Sequence, residues 1–391
     1  MKEDPKQQAY VAKTVSGLEE VLERELRSLG AEDTQILTRA VGFRGDRELL
    51  YKVNYCCFTA LRILVPVNEF VIVEQEDLYV HLNRMPWEDW LEPAGTIAVD
   101  AVISNSVFTN SLFVAQRSKD AIADRMRSIS GQRPSVDLEN PSLRISVHIR
   151  GTTCTISLDS SGNTLHKRGY RKRAGDAPVS EVLAAGLLRL AGWDPSIPLY
   201  DPMCGSGTIL VEAALMATGT PAGMFRTDFG FTRWRDFDPA LWEKVRKEAG
   251  ERIIPSPAQI RGADSSLRAI DGAKMNLRYS NTEEIITLSK GGFHQTRPPF
   301  ETGMIVTNPP YDERLKLDDS VAFYRSMGDT LKQFYGGYRA WIISADLEAM
   351  KFIGLKPMKK FRIFNGPLEC RFMGYDLFRG TMKDFKTPVE K

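Results

Sequence analysis

The chain has 391 residues, 42% of them hydrophobic and 26% charged, the balance of an ordinary globular protein too long for a single core. Its 52 Lys and Arg against 50 Asp and Glu leave a net charge of +2, so any nucleic-acid surface has to be a local patch. No stretch reaches the ~20 apolar residues of a membrane span, and Met1-Lys2-Glu3-Asp4-Pro5 lacks the apolar core of a signal peptide. Cys56, Cys57, Cys154, Cys204 and Cys370 include no Cys-x-x-Cys pair, and the 4 histidines are scattered. This pattern predicts a reduced cytoplasmic protein without metal or membrane partner.

Ala9 to Ala12 reads as a strand. Ser16-Gly17-Leu18-Glu19 then has the form of a capping box, and Leu18, Val21, Leu22, Leu26 and Leu29 recur at helical spacing up to Gly30. Short strands are expected at 34–37 and 42–45, a helix at 49–59 and a strand at 61–67. Together they make a small α+β unit over residues 1–67. A second unit, 68–165, is expected to begin with a helix at Leu78–Leu82 that continues through Trp87 and Trp90. A strand at 96–102, a helix at 111–129 with Arg117, Lys119, Arg125 and Arg127 on its polar side, and a hairpin of 143–150 with 153–158 complete it.

Residues 166–173, His-Lys-Arg-Gly-Tyr-Arg-Lys-Arg, form a basic run. It reads either as a solvated linker or, given Tyr170 among the cations, as a phosphate contact through Lys167, Arg168, Tyr170 and Arg171. From 178 onward strands alternate with helices, which predicts a parallel sheet with helices on both faces over 166–391. The stretch 219–257 interrupts that alternation with Phe225, Arg226, Phe231, Arg233, Trp234, Arg235, Phe237 and Trp242. Such residues either stack bases or pack the insertion onto the domain. A final hairpin is expected around Asn365-Gly366.

Asp201-Pro202-Met203-Cys204-Gly205-Ser206-Gly207-Thr208 is a Gly-rich strand-to-helix turn. It lacks the Gly-x-Gly-x-x-Gly of dinucleotide loops and the Gly-Lys of Walker loops, which disfavours pyrophosphate and triphosphate ligands. Asp201 is placed for the amino-acid end of a cofactor such as S-adenosylmethionine. Asp264, closing the next strand, is placed for ribose hydroxyls, or else caps a helix. Asn308-Pro309-Pro310-Tyr311 follows the apolar run Met304-Ile305-Val306. An amide oxygen, a free Pro309 carbonyl and an aromatic face suit a planar exocyclic amine, which needs two acceptors and a stacking surface. No cysteine stands beside the Pro-Pro turn, which argues against a thiolate route, and Cys204 reads as a small packing residue.

The order DPMCGSGT, GAD and NPPY resembles Class I S-adenosylmethionine-dependent methyltransferases acting on exocyclic amines or amides. With SGLEEVLERELRSLGA, HKRGYRKRAGDAP and TNPPYDERL added, nearly the whole chain resembles the THUMP-containing large-subunit rRNA guanine-N2 methyltransferases of bacteria. The resemblance implies a ferredoxin-like unit and a THUMP domain ahead of a Rossmann-like α/β sheet ending in an antiparallel hairpin. It implies S-adenosylmethionine at Asp201, Pro202, Cys204, Gly205, Gly207, Thr208, Asp264 and Asn308, with the target guanine of 23S rRNA at Asn308, Pro309, Pro310 and Tyr311. The chain departs from the family at Asp312, where a glycine is usual, and after the 285–288 strand, where Ser289-Lys290-Gly291-Gly292-Phe293 offers no acidic residue for the adenine amine. tRNA guanine-N2 methylation, adenine-N6 methylation of DNA and a catalytically silent RNA-binding role are the competing expectations.

Overall fold

The computed structural model describes residues 7–173, 179–310 and 317–379. They divide into two compact units: one takes residues up to Thr14, Leu22–Lys167 and Arg226–Glu248, the other Val15–Val21, Arg168–Phe225 and the chain from Ala249 on.

The first unit is built on β1 (Gln8–Lys13), α1 (Glu19–Leu29) from Leu22 on, β2 (Glu32–Leu37), β3 (Ala40–Gly45), α2 (Arg47–Cys56) and β4 (Arg62–Val71). There follow α3 (Gln75–Arg84), β5 (Thr96–Ser104), α4 (Ser111–Ser130), β6 (Ser135–Val136), β7 (Leu143–Arg150) and β8 (Thr153–Asp159). The eight strands form one sheet in the order β2-β3-β1-β4-β8-β7-β5-β6. β4 outruns the strand expected at 61–67. It pairs with β1 through Leu64 and with β8 through Leu64 to Val71, antiparallel to both. The chain therefore crosses residue 67 in mid-strand, and the two expected α+β units share a backbone ladder. The helix expected to continue through Trp87 instead stops at Arg84. Met85, preceding Pro86, is extended at φ −67 and ψ 145, as the proline ring demands, and Trp87–Asp89 form a separate 3-10 turn. At α1 the cap differs in detail from the sequence expectation: the Glu19 carboxylate accepts from the Gly17 amide at 2.7 Å.

The aromatic insertion packs inside this unit. Phe229 and Phe231 are buried. Phe231 stacks on Tyr51 at 4.4 Å, and Trp242 meets Tyr55 edge-on at 5.2 Å. Arg226 donates to the carbonyls of Ser161, Asn163, Thr164, Lys167 and Asp228. These carbonyls take up both terminal nitrogens of the guanidinium, so the packing reading holds for Arg226 as it does for Phe229, Phe231 and Trp242.

The second unit comprises α5 (Glu181–Ala191), β9 (Leu199–Asp201), α6 (Thr208–Thr218), the end of α7 (Pro239–Gly250), β10 (Ile260–Asp264), α8 (Leu267–Tyr279) and β11 (Ile286–Lys290). It continues with β12 (Gly303–Thr307), α9 (Leu317–Phe334), β13 (Tyr338–Ser344), β14 (Lys359–Asn365) and β15 (Leu368–Asp376). The sheet order is β11-β10-β9-β12-β13-β15-β14. The first five strands are parallel, whereas β15 runs antiparallel to both neighbours, which is the expected closing hairpin. α6 is almost wholly apolar because it is buried along its length. Strand order reverses direction at β9, between β10 and β12, and that switch point is where an α/β sheet opens a crevice at its carboxyl ends.

Candidate active site

A cavity of about 500 Å³ lies at those carboxyl ends, lined by Asp201, the 202–206 turn, Asp264, Phe293, Asn308 and Pro310 among others. The turn takes its shape from Gly205 at φ +53 and Gly207 at φ +79, left-handed values that glycine adopts without steric cost. At Gly207 a side chain would also meet the Ala273 methyl at 3.3 Å. The Gly205 amide donates to Asp264 Oδ2 and the Ser266 amide to Oδ1, both at 2.9 Å. Asp264 is thus oriented by backbone on either side. Ser266, not Asp264, caps α8 by accepting from Ala269.

Asp201 is buried, and its Oδ1 accepts from the Thr307 hydroxyl at 2.7 Å and the Met203 amide at 3.2 Å. Burial outweighs these two hydrogen bonds and raises its carboxyl from 3.8 to about 7. A cationic group entering the cavity would hold it ionised. Cys204 is buried with its thiol pushed up by the same desolvation, a packing residue whose neighbouring backbone shapes the turn.

Asn308 begins at the end of β12, next to Asp201 on β9. Its side-chain oxygen is buried and has no hydrogen-bond partner among the described residues. A buried carbonyl oxygen without a donor is costly, so it marks the place where a ligand N–H fits. Pro309 is buried and Pro310 lines the cavity. Tyr311, expected to stack on the target base, lies outside the described residues, as does Asp312.

Sequence reasoning missed His294 and Phe323. Both line the cavity, and their rings meet edge-on at 5.8 Å. His294 Nδ1 sits 3.1 Å from the Thr330 hydroxyl. The Ser326 hydroxyl lies 3.2 Å from the same nitrogen, so two hydroxyls of α9 hold the ring by Nδ1. Phe293 stacks on Tyr335 at 5.8 Å and stands at the edge where the usual acidic residue is missing. Only the spacing after β11 could have pointed to His294, and no local signal marks Phe323 on α9.

The expected RNA contact at 166–173 needs correction. Arg168 and Tyr170 are 1% and 0% exposed. Tyr170 donates to Glu212 Oε1 at 2.9 Å, and Arg168 pairs with Glu212 Oε2 at 3.5 Å. Desolvation still raises the Glu212 carboxyl to about 7. Arg171 donates to the Thr208 hydroxyl and the Val179 carbonyl, both at 2.7 Å, and pairs with Glu181. It braces the first residue of α6 from behind and is only partly exposed. These side chains hold the turn; of the four, Lys167 alone is exposed.

Three family models match: the RlmL ferredoxin-like domain over residues 9–64, the THUMP domain over 74–159 and the RMKL-like methyltransferase domain over 168–373. The last covers more than half of the chain. The chain belongs to the RMKL-like methyltransferase family. A curated relative, "Putative RNA methyltransferase slr0064" from Synechocystis sp., is 37% identical over 372 residues, 94% of this chain and 97% of that protein. Among solved structures, SMU.472, "a putative methyltransferase complexed with SAH", is 29% identical with a TM-score of 0.86, covering 97% of this chain and 100% of the other. A "predicted N6-adenine-specific DNA methylase" from Listeria monocytogenes is 29% identical with a TM-score of 0.84, covering 95% and 97%. The RMKL-like domain contains every cavity residue described above. No helix among the described residues is long and apolar enough to cross a membrane.

Proposed function

We propose that this chain transfers the methyl group of S-adenosylmethionine to the exocyclic N2 amine of a guanine in 23S rRNA, in the cytoplasm. The observation that carries this reading is the buried Asn308 oxygen, unpartnered among the described residues, in the cavity it shares with Asp201 at the sheet's switch point. The THUMP domain and the RNA methyltransferase relative support an RNA substrate. The SAH complex of SMU.472 supports the cofactor.

The cavity residues fit that cofactor. Asp201 would provide a carboxylate for the cationic amino-acid end, Asp264 would face the ribose, and Phe293 and His294 would border the adenine. S-adenosylmethionine supplies an electrophilic methyl on a sulfonium. Asn308 Oδ1 and the Pro309 carbonyl accept the two amine hydrogens, drawing the delocalised lone pair out of the ring plane and toward the methyl. With the cofactor bound, the amine nitrogen would take the methyl as the methyl–sulfur bond breaks, the electron pair staying on sulfur and the amine proton leaving to solvent.

The test is a methyl-transfer assay with labelled S-adenosylmethionine on unmodified 23S rRNA, tRNA and DNA, followed by nucleoside mass spectrometry. N2-methylguanosine in the 23S rRNA is expected. Label confined to tRNA or to DNA overturns the substrate, and label nowhere with intact cofactor binding overturns the enzyme reading. Asn308→Ala is expected to lower kcat at least ~100-fold, as loss of an alignment contact does, with cofactor affinity nearly unchanged by calorimetry. Substantial residual turnover would remove Asn308 from the reaction.

A further inference from the structure

The buried half of the basic run leaves open where the second unit meets a polyanion. Lys172 and Arg173 are exposed and follow directly on Arg171. Their backbone is clamped by one side chain, Asn276 of α8, which is 1% exposed. Its Oδ1 accepts from the amides of Lys172 at 2.9 Å and Arg173 at 3.2 Å. Its Nδ2 donates to the Arg173 carbonyl at 2.9 Å and to the Ser206 carbonyl at 3.0 Å. All four hydrogen-bonding positions of the amide are used, so the run is rigidly laid along α8 and tied to the cofactor turn.

The outer face of α8 continues the same chemistry. Lys274, Met275, Arg278 and Tyr279 line a shallow groove with Asp271. The Tyr279 ring is 52% exposed, with the Lys172 ammonium 4.9 Å from its centre. Arg278 pairs with Glu283 but keeps 73% of its side chain exposed. Four cations against Asp271 and Glu283, around an exposed ring, form a local positive stripe on a chain of nearly balanced charge.

We propose that Lys172, Arg173, Lys274 and Arg278, with the ring of Tyr279, form a docking surface for the phosphodiester backbone of the RNA substrate. Fixed cations neutralise phosphates without reading sequence, and an exposed ring beside them stacks on any unpaired base. The surface rests on the RNA reading given above. It differs from the buried Arg168 and Tyr170, and the Asn276 clamp joins it to the turn that shapes the cofactor cavity.

The experiment compares the full chain with the triple variant Lys172→Ala, Arg173→Ala, Lys274→Ala in binding unmodified 23S rRNA across a salt series. Three lost phosphate contacts are expected to flatten the slope of log affinity against log salt by about two and to weaken binding at least ~10-fold at physiological salt. Calorimetric affinity for S-adenosylmethionine is expected to stay unchanged, reporting an intact fold. Unchanged RNA affinity and slope overturn the surface and leave the RNA reading standing. Methyl label found only in DNA removes the RNA reading, and the surface falls with it. Should the triple variant lose cofactor binding, Tyr279→Ala decides instead: weakened binding of single-stranded rRNA fragments supports the surface, and unchanged binding overturns it.

Discussion

Asp201 combines two demands in one carboxyl group. Its burial raises it from 3.8 to about 7, so between about pH 4 and 7 the folded chain retains a proton that the unfolded chain has released. The group is therefore neutral in stability below pH 4 and destabilising as pH rises through that window. The full cost, on the order of 4 kcal/mol, is reached above pH 7. Asp201→Asn is expected to raise the thermal midpoint of the ligand-free protein at pH 8 and to leave it unchanged near pH 4. An equal effect at both would contradict the raised value. At pH 7 the carboxyl is about half protonated, so a cationic ligand is expected to displace about half a proton. Calorimetry in buffers of different ionisation heat measures that release, and zero release would place the cation elsewhere. Arg168 shows why burial has to precede any reading of charge. Arg168→Ala leaves Glu212 buried with a single partner and is expected to cost ~3–5 kcal/mol, read by denaturant titration, with the salt slope of RNA binding unchanged. In the sequence Arg168 and Tyr170 look like part of a solvated run, because nothing local announces Glu212, more than 40 residues away. Asn276 and His294 were invisible for the same reason. Asp201, Asp264 and Asn308 were legible because each ends an apolar strand.

At the scale of elements, a long helix with an apolar stripe and a local cap was readable: α4 lies within a residue or two of the expected 111–129. The errors fall where an element's extent is decided by a distant partner. β4 continues beyond 67 because β8 offers it a ladder through Val71. The insertion at 226–248 was ambiguous because its aromatics find their partners on α2, far back in the chain. Phe231 is wholly buried between Tyr51, Phe229 and Trp242. Phe231→Ala is expected to destabilise the first unit by ~3–5 kcal/mol. A denaturant titration followed by Trp fluorescence measures it, and a loss under about 1 kcal/mol would mean the cluster is loosely packed.

For the whole molecule, domain names drawn along the sequence and units formed in space do not coincide. The ferredoxin-like and THUMP models end and begin around β4, yet β4 is one strand of a single sheet. A fragment of residues 7–67 would expose the β8-facing edge of that strand, an unpaired row of backbone donors and acceptors. It is expected to aggregate or remain unfolded, whereas one spanning 7–165 with 226–248 supplied in trans should bind that peptide. Circular dichroism of the short fragment checks this, and a cooperative fold there would mean that β1 to β3 suffice without β8.

The return of residues 226–248 to the first unit also has a consequence for the order of events at the ribosome. Synthesis proceeds from the amino terminus, and domains generally fold as they emerge. Here the groove formed by Tyr51 and Tyr55 stays unfilled until Phe229, Phe231 and Trp242 have left the exit tunnel, by which time β9 and α6 of the other unit have already been made. The amino-terminal half therefore waits, with an aromatic face open to water, for a plug encoded deep inside the cofactor half. Neither half of the gene can be expressed by a simple cut without leaving that face bare.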